Sequence, residues 1–132
     1  HKIKVYYEDT DSGGVVYYAN YLKYFERART EALFTIGLSN LIIKDKFNSL
    51  IVVKSCNIEY RKSSHLEDNL TIKSFISSLS KTSFVMDQSI YRDKLLIVNA
   101  KIHLVFVNTF GKPTKIPEIV LNSLEPYILK SK

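Results

Sequence analysis

Two periods of hydrophobic spacing divide the chain. Between Tyr18 and Ile36, the apolar positions Tyr21, Phe25, Ala28, Ala32 and Ile36 recur at steps of four, three, four and four. That spacing stacks them on one buried helix face. Lys23, Glu26, Arg27, Thr30 and Glu31 occupy much of the remaining surface, and Gly37 follows where a left-handed C-cap residue is expected. The spacing predicts one long helix from about Tyr18 to Ile36, about 27 Å at 1.5 Å per residue. From Leu50 the period falls to two. Ile51–Tyr60, Leu70–Ile76, Phe84–Tyr91 and Leu95–Val107 are rich in β-branched and aromatic residues and predict strands. Ile3 to Glu8 predicts a shorter strand that enters the polar turn Glu8–Gly14. Glu118 to Leu129 predicts a short terminal helix disturbed near Pro126.

The joints between the later strands, Ser63–Asn69, Ser80–Ser83 and Arg92–Lys94, are short and polar. Connections this short make antiparallel neighbours, because a parallel return needs a crossover of a dozen or more residues. The order is strand, turn, helix, then four strands. It predicts an α+β fold in which a curved antiparallel sheet wraps around one long helix, as a single domain over residues 1–132. The far sheet face then needs cover. A second copy of the chain is expected to supply it, with the strand near Leu50 as an edge that pairs across the interface.

Composition narrows the class. The 132 residues are 45% hydrophobic and 24% charged, within the globular range, with no repeat or low-complexity tract. No apolar run approaches the roughly 20 residues of a membrane span, and His1-Lys2-Ile3-Lys4 has no apolar leader behind it, so a cytoplasmic protein is expected. The single cysteine, Cys56, excludes an internal disulfide and a cysteine zinc cluster. It is expected to be a small apolar strand residue. The formal charge of +6 suits a polyanionic or phosphate-bearing partner, but the basic residues are dispersed, which argues against a nucleic-acid-binding arm.

Candidate chemistry gathers between residues 9 and 21, where carboxylates, adjacent glycines and a helix start follow one another. The first turn of a helix leaves backbone N–H groups unpaired and carries partial positive charge, so it can hold a carbonyl oxygen that becomes negative. Gly13 and Gly14 permit positive φ and a close approach to the backbone. Asp11 or Asp9 can then attack an acyl carbon or activate water. The same elements also serve as an N-cap and a turn, so spacing alone leaves both readings open. Elsewhere there is no nucleophile elbow, phosphate loop or paired-histidine zinc motif. His65 reads as a loop residue and His103 as a strand residue, and three dispersed histidines predict no metal site.

The run Val5-Tyr6-Tyr7-Glu8-Asp9-Thr10-Asp11-Ser12-Gly13-Gly14-Val15-Val16-Tyr17-Tyr18-Ala19-Asn20-Tyr21, continued by Leu22-Lys23-Tyr24-Phe25-Glu26-Arg27-Ala28-Arg29-Thr30-Glu31, resembles hotdog-fold acyl-CoA thioesterases of the 4-hydroxybenzoyl-CoA thioesterase type. Within them it is most similar to the Tol–Pal-associated, YbgC-type bacterial group. Weaker likeness continues through Ile58-Glu59-Tyr60, Asp68-Asn69-Leu70 and Lys81-Thr82-Ser83-Phe84. The resemblance implies a five-stranded sheet wrapped around the helix, a homodimer or homotetramer, and a link to lipid metabolism. It also implies hydrolysis of acyl-CoA to free acid and CoA, with no cofactor beyond the coenzyme A of the substrate. By the same resemblance Asp11 is the catalytic carboxylate, as nucleophile or general base, and the Tyr18 N–H polarises the thioester carbonyl. Gly14 lies where substrate passes close to the chain, and Val16, Asn20 and Tyr21 shape the site. Lys81, Thr82 and Ser83 meet the nucleotide, with Arg61 and Lys62 as weaker phosphate contacts. Many YbgC-type members carry histidine where this chain has Tyr18, which removes any imidazole role but leaves a backbone donor.

Three other readings compete. A non-catalytic acyl-CoA-binding hotdog protein has less need of Asp11 beside a thioester. A hotdog dehydratase needs a histidine base, and neither His65 nor His103 lies near the glycine turn in sequence. A basic nucleic-acid binder is marked by a steep loss of affinity with salt.

Overall fold

The computed structural model describes residues 1–128 and contains one five-stranded antiparallel sheet. Its strands are β1 (Lys2–Lys4), β2 (Leu50–Tyr60), β3 (Asn69–Leu79), β4 (Ser83–Arg92) and β5 (Leu95–Val107), in the spatial order β1-β3-β4-β5-β2. The helices are α1 (Asn20–Thr35), α2 (Asn40–Phe47) and α3 (Glu118–Leu124). This is the hotdog arrangement that the sequence implied. No helix among the described residues is long and apolar enough to cross a membrane.

Alternation along the strands makes the core. On β5, Val98, Ala100, Ile102, Leu104 and Phe106 are buried, opposite Ile90, Gln88, Met86 and Phe84 of β4 for the first four pairs. Ile72 and Ile76 of β3 continue the same face. Against them α1 buries Tyr21, Tyr24, Phe25 and Ala28, while Ala32 and Ile36 stay half-buried. A fully buried side chain such as Phe25 contributes about 1.5–3 kcal/mol. The buried stripe therefore fixes which face of α1 meets the sheet.

Boundaries differ from the sequence reading at both ends of α1. The helix begins at Asn20 rather than Tyr18, with Ala19 as its N-cap and no side chain capping it. It ends at Thr35: Ile36 is the C-cap and Gly37 adopts φ +77°. The Leu38 N–H donates to the Leu33 carbonyl and the Gly37 N–H to the Phe34 carbonyl, the paired bonds of a Schellman ending. The first strand is also shorter, because after Lys4 the chain turns through a 3-10 segment at Tyr7–Asp9. The sequence reading left α2 out. Its local signals are the Ser39 hydroxyl accepting the Ile42 N–H, and Asn48 closing the helix at φ +50°. Helix α3 stops at Leu124, two residues before Pro126, and a 3-10 turn covers Glu125–Tyr127. The expected end at Leu129 lies outside the described residues.

The strand at Leu50–Tyr60 is an edge, as the sequence suggested. None of its eleven residues is buried in the single chain. Cys56 sits there opposite Ile102, exposed as a residue, although partial desolvation of its thiol nudges the pKa upward.

Candidate active site

A tight hairpin places the carboxylates beside the start of α1. The Tyr17 N–H donates to the Asp9 carbonyl at 3.1 Å, Thr10 bridges Val16, and the Asp11 N–H donates to the Val15 carbonyl at 2.8 Å. The turn closes through Gly14, whose N–H reaches the Asp11 carbonyl at 3.1 Å and whose φ is +76°. A Cβ there would meet nothing within 4 Å, so backbone conformation rather than crowding calls for glycine. Asp11 is exposed. Its Oδ1 accepts the Gly13 N–H at 2.9 Å and the Val15 N–H at 3.3 Å, and Oδ2 makes no hydrogen bond among the described residues. One carboxylate oxygen is pinned and the other faces solvent.

Asp9 plays a different part. It is buried, its Oδ2 accepts the Tyr6 N–H at 3.1 Å, and its carbonyl also accepts the Asn20 Nδ2–H at 2.8 Å. Asn20 thereby ties the first residue of α1 to the carboxylate loop. The Tyr24 hydroxyl is sealed in the same region with no partner in hydrogen-bonding geometry among the described residues. Burial, first, and the Asp9 carboxylate, second, push the Tyr24 phenol pKa well above its usual value.

At the helix start, Asn20, Tyr21 and Leu22 donate to the carbonyls of Tyr17, Tyr18 and Ala19. The Tyr18 N–H itself has no hydrogen-bond partner among the described residues. It lies one residue beyond the Asp9–Tyr17 rung, on the side away from the turn, whereas Asp11 lies two residues from that rung toward the turn, so about 10 Å of hairpin separates the two. Aromatic rings line this end. Tyr18 stacks beside Tyr17 with centroids 4.8 Å apart, and Tyr60 of β2 lies 6.0 Å from Tyr18 and 5.8 Å from Tyr21. The Tyr17 phenol pKa is raised by the neighbouring Tyr18 phenol, and that of Tyr60 is raised mainly by burial.

A segment missed by sequence reasoning buttresses the hairpin. Val15 bridges His65, the Val16 N–H donates to the Ser64 carbonyl, and the Leu66 N–H donates to the Gly14 carbonyl. Asp68 holds this turn: its Oδ2 accepts the His65 N–H at 2.8 Å and Arg92 Nη1 at 3.2 Å. His65 contributes backbone here, and its ring is exposed.

The expected site residues therefore fall in two places. Asp11, Gly14, Tyr18, Asn20 and Tyr21 come together, with the Val16 and Tyr21 side chains buried in the core. Lys81, Thr82 and Ser83 lie elsewhere, in a turn organised by Ser80, whose Oγ accepts the Ser83 N–H at 3.0 Å. Tyr60 pairs with Val98 and Ser83 with Val105, seven residues apart on β5, so the two groups are separated by about 23 Å along the sheet. The Arg61 guanidinium is committed to Asn99 at 2.7 Å and Glu59 at 2.8 Å. Among the described residues no three His, Cys, Asp or Glu side chains gather where they would hold a metal ion.

Residues 13–98 match the model of the thioesterase superfamily, designated 4HBT. The chain belongs to the thioesterase superfamily. The matched span takes in the glycine turn, the free Tyr18 N–H, all of α1 and three strands, and it begins two residues after Asp11. Among relatives, the acyl-CoA thioesterase YbgC of Haemophilus influenzae is 35% identical over 119 residues, which cover 89% of this chain and 88% of that protein. A probable thioesterase from Bartonella henselae superposes with a TM-score of 0.85 at 35% identity, covering 89% of this chain and 97% of that one. A structure from Aquifex aeolicus superposes at 0.88 with 27% identity, covering 94% and 97%. As a superfamily member of this type the protein is a thioester hydrolase.

Proposed function

We propose that the protein hydrolyses acyl-CoA to a free carboxylic acid and CoA, with Asp11 as its catalytic carboxylate. The observation that carries this reading is the Tyr18 N–H, without a partner among the described residues, two residues ahead of α1 at the end of the hairpin that fixes Asp11. A thioester carbonyl seated against that N–H meets a donor that becomes more valuable as its oxygen gains charge. Asp11 Oδ2 supplies the other half. As general base it takes a proton from water, whose oxygen adds to the acyl carbon. Collapse then expels the CoA thiolate, which recovers the proton. As nucleophile it displaces the thiolate directly, and water cleaves the resulting anhydride. The YbgC relatives are acyl-CoA thioesterases, which supports acyl-CoA as substrate.

The nucleotide end of CoA is assigned to Lys81, Thr82 and Ser83, which the fold places about 23 Å from Tyr60 along β5. That separation makes them contacts for the substrate of a neighbouring copy in a homodimer or homotetramer joined through the uncovered edge β2. The cytoplasm, where acyl-CoA is available, is the compartment this activity requires.

The test is thiol release from short, long and aromatic acyl-CoAs by the wild type and Asp11→Ala. Loss of hydrolysis with an unchanged melting temperature is the expected result. Full activity in the variant defeats the assignment. CoA binding without turnover in the wild type favours the non-catalytic alternative instead. A single turnover in ¹⁸O-water separates the two roles, because only a nucleophilic Asp11 acquires the label.

A further inference from the structure

A second site lies beneath the C-terminal half of α1, away from the carboxylate hairpin. There the helix, the sheet and the end of α3 with the turn after it line a partly open cavity of about 220 Å³. Leu33, Ile36, Ile76, Phe84, Met86 and Leu104 give it an apolar wall. At its polar side stands Arg29, half-buried in the single chain. From Tyr18 to Arg29 is eleven residues, about 16 Å along a helix.

The cation is held, but no carboxylate contacts it among the described residues. Arg29 Nη1 donates to Gln88 Oε1 at 3.0 Å, and Gln88 is fully buried, anchored through Nε2 to the Phe25 carbonyl at 3.1 Å and Ser74 Oγ at 2.9 Å. No carboxylate oxygen of the described residues lies within 4.0 Å of the guanidinium. Glu26, one turn away on the same cavity edge, accepts the Thr30 hydroxyl at 3.1 Å instead. A guanidinium has five N–H donors, and only one is used among the described residues. Glu26 favours the charged guanidinium from a distance, yet burial outweighs it, and a contacting carboxylate is the acceptor whose two oxygens match the guanidinium fork.

We propose that this cavity binds an aliphatic monocarboxylate, with its carboxylate on the Arg29 guanidinium and its tail against the apolar wall. The volume sets the tail. An apolar cavity of about 150 Å³ accepts benzene, with six carbons, so 220 Å³ corresponds to a chain of about six to nine carbons. Such an acid is also the product class of the proposed reaction, but binding here needs neither Asp11 nor turnover.

The test is calorimetric titration of the full chain with hexanoate, octanoate, dodecanoate and 1-octanol, in the wild type and in Asp11→Ala. Octanoate is expected to bind saturably in both proteins and to bind about tenfold or more tightly than 1-octanol. Affinity should rise by up to about fourfold per methylene from hexanoate to octanoate and level off by dodecanoate. Arg29→Gln should lose at least tenfold for octanoate and little for 1-octanol. Ala32→Leu, which intrudes on the cavity without touching the cation, should weaken both. No saturable octanoate binding, equal affinity for acid and alcohol, or an unaltered Ala32→Leu overturns the assignment. None of these outcomes depends on whether the protein hydrolyses a thioester.

Discussion

Gln88 offers the sharpest test of how the interior is held. It lies on β4 with no solvent exposure and bonds three groups on two other elements: the Phe25 carbonyl and the Arg29 guanidinium on α1, and Ser74 on β3. Replacing it by leucine preserves approximate volume and removes all three bonds. The bond from a charged group is worth about 1.5–3 kcal/mol and each neutral one about 0.5–1.5 kcal/mol. The gained apolar burial returns about 1 kcal/mol. Gln88→Leu should therefore destabilise the fold by about 3 kcal/mol, which lowers the melting temperature of a domain this size by about 9–15 °C. The loss comes from stranding Arg29 and Ser74, not from the amide as such. A double variant, Arg29→Met with Gln88→Leu, should recover part of it, and circular dichroism melts of the four proteins measure the coupling. A single-variant shift under about 3 °C, or strict additivity in the cycle, refutes this account.

Other expectations follow from the hairpin and its surroundings. Gly14→Ala must place an L-residue at φ +76°, costing about 1–2 kcal/mol, whereas Gly14→Asn should cost less; thermal melts order the two. Asn20→Ala removes the bond between α1 and the Asp9 carbonyl and should slow thioester hydrolysis more than it lowers the melting temperature, as kcat and melts together will report. Tyr24 has a folded-state pKa raised above its unfolded value, so its neutral form favours folding. Its contribution is whole below about pH 10 and declines as pH rises above that, at about 1.4 kcal/mol per pH unit. Denaturation of wild type and Tyr24→Phe between pH 8 and 11 should therefore diverge only above about pH 10, with the phenylalanine variant declining less steeply.

The sequence itself determined the features written in neighbouring residues. The buried face of α1, the Gly37 ending and the spans of the four long strands all rest on periods of 3.6 or 2 and on a few turn residues. The presence of a glycine turn and the placement of Asp11 ahead of a helix start were legible for the same reason, whereas Glu8–Thr10, read as part of the turn, form a 3-10 segment and a bridge. Resemblance, not spacing, singled out Asp11 and Tyr18 from ordinary capping and turn residues. The short helix α2 was missed because eight residues with weak amphipathic patterning give little signal beyond a serine cap.

Only the tertiary structure decided what depends on distant partners. Ser64–Leu66 completing the hairpin, Asn20 turning inward to Asp9, and Lys81 lying about 23 Å from the tyrosine cluster along β5 follow from sheet order and register. The Arg29–Gln88 bond spans 59 residues and the Gln88–Phe25 bond spans 63. A strand glutamine looks like any half-exposed polar residue until the sheet closes over it. Local patterns choose elements because backbone sterics and side-chain period act over a few residues. Which polar groups become buried, and whether each finds a partner, is set only when those elements pack.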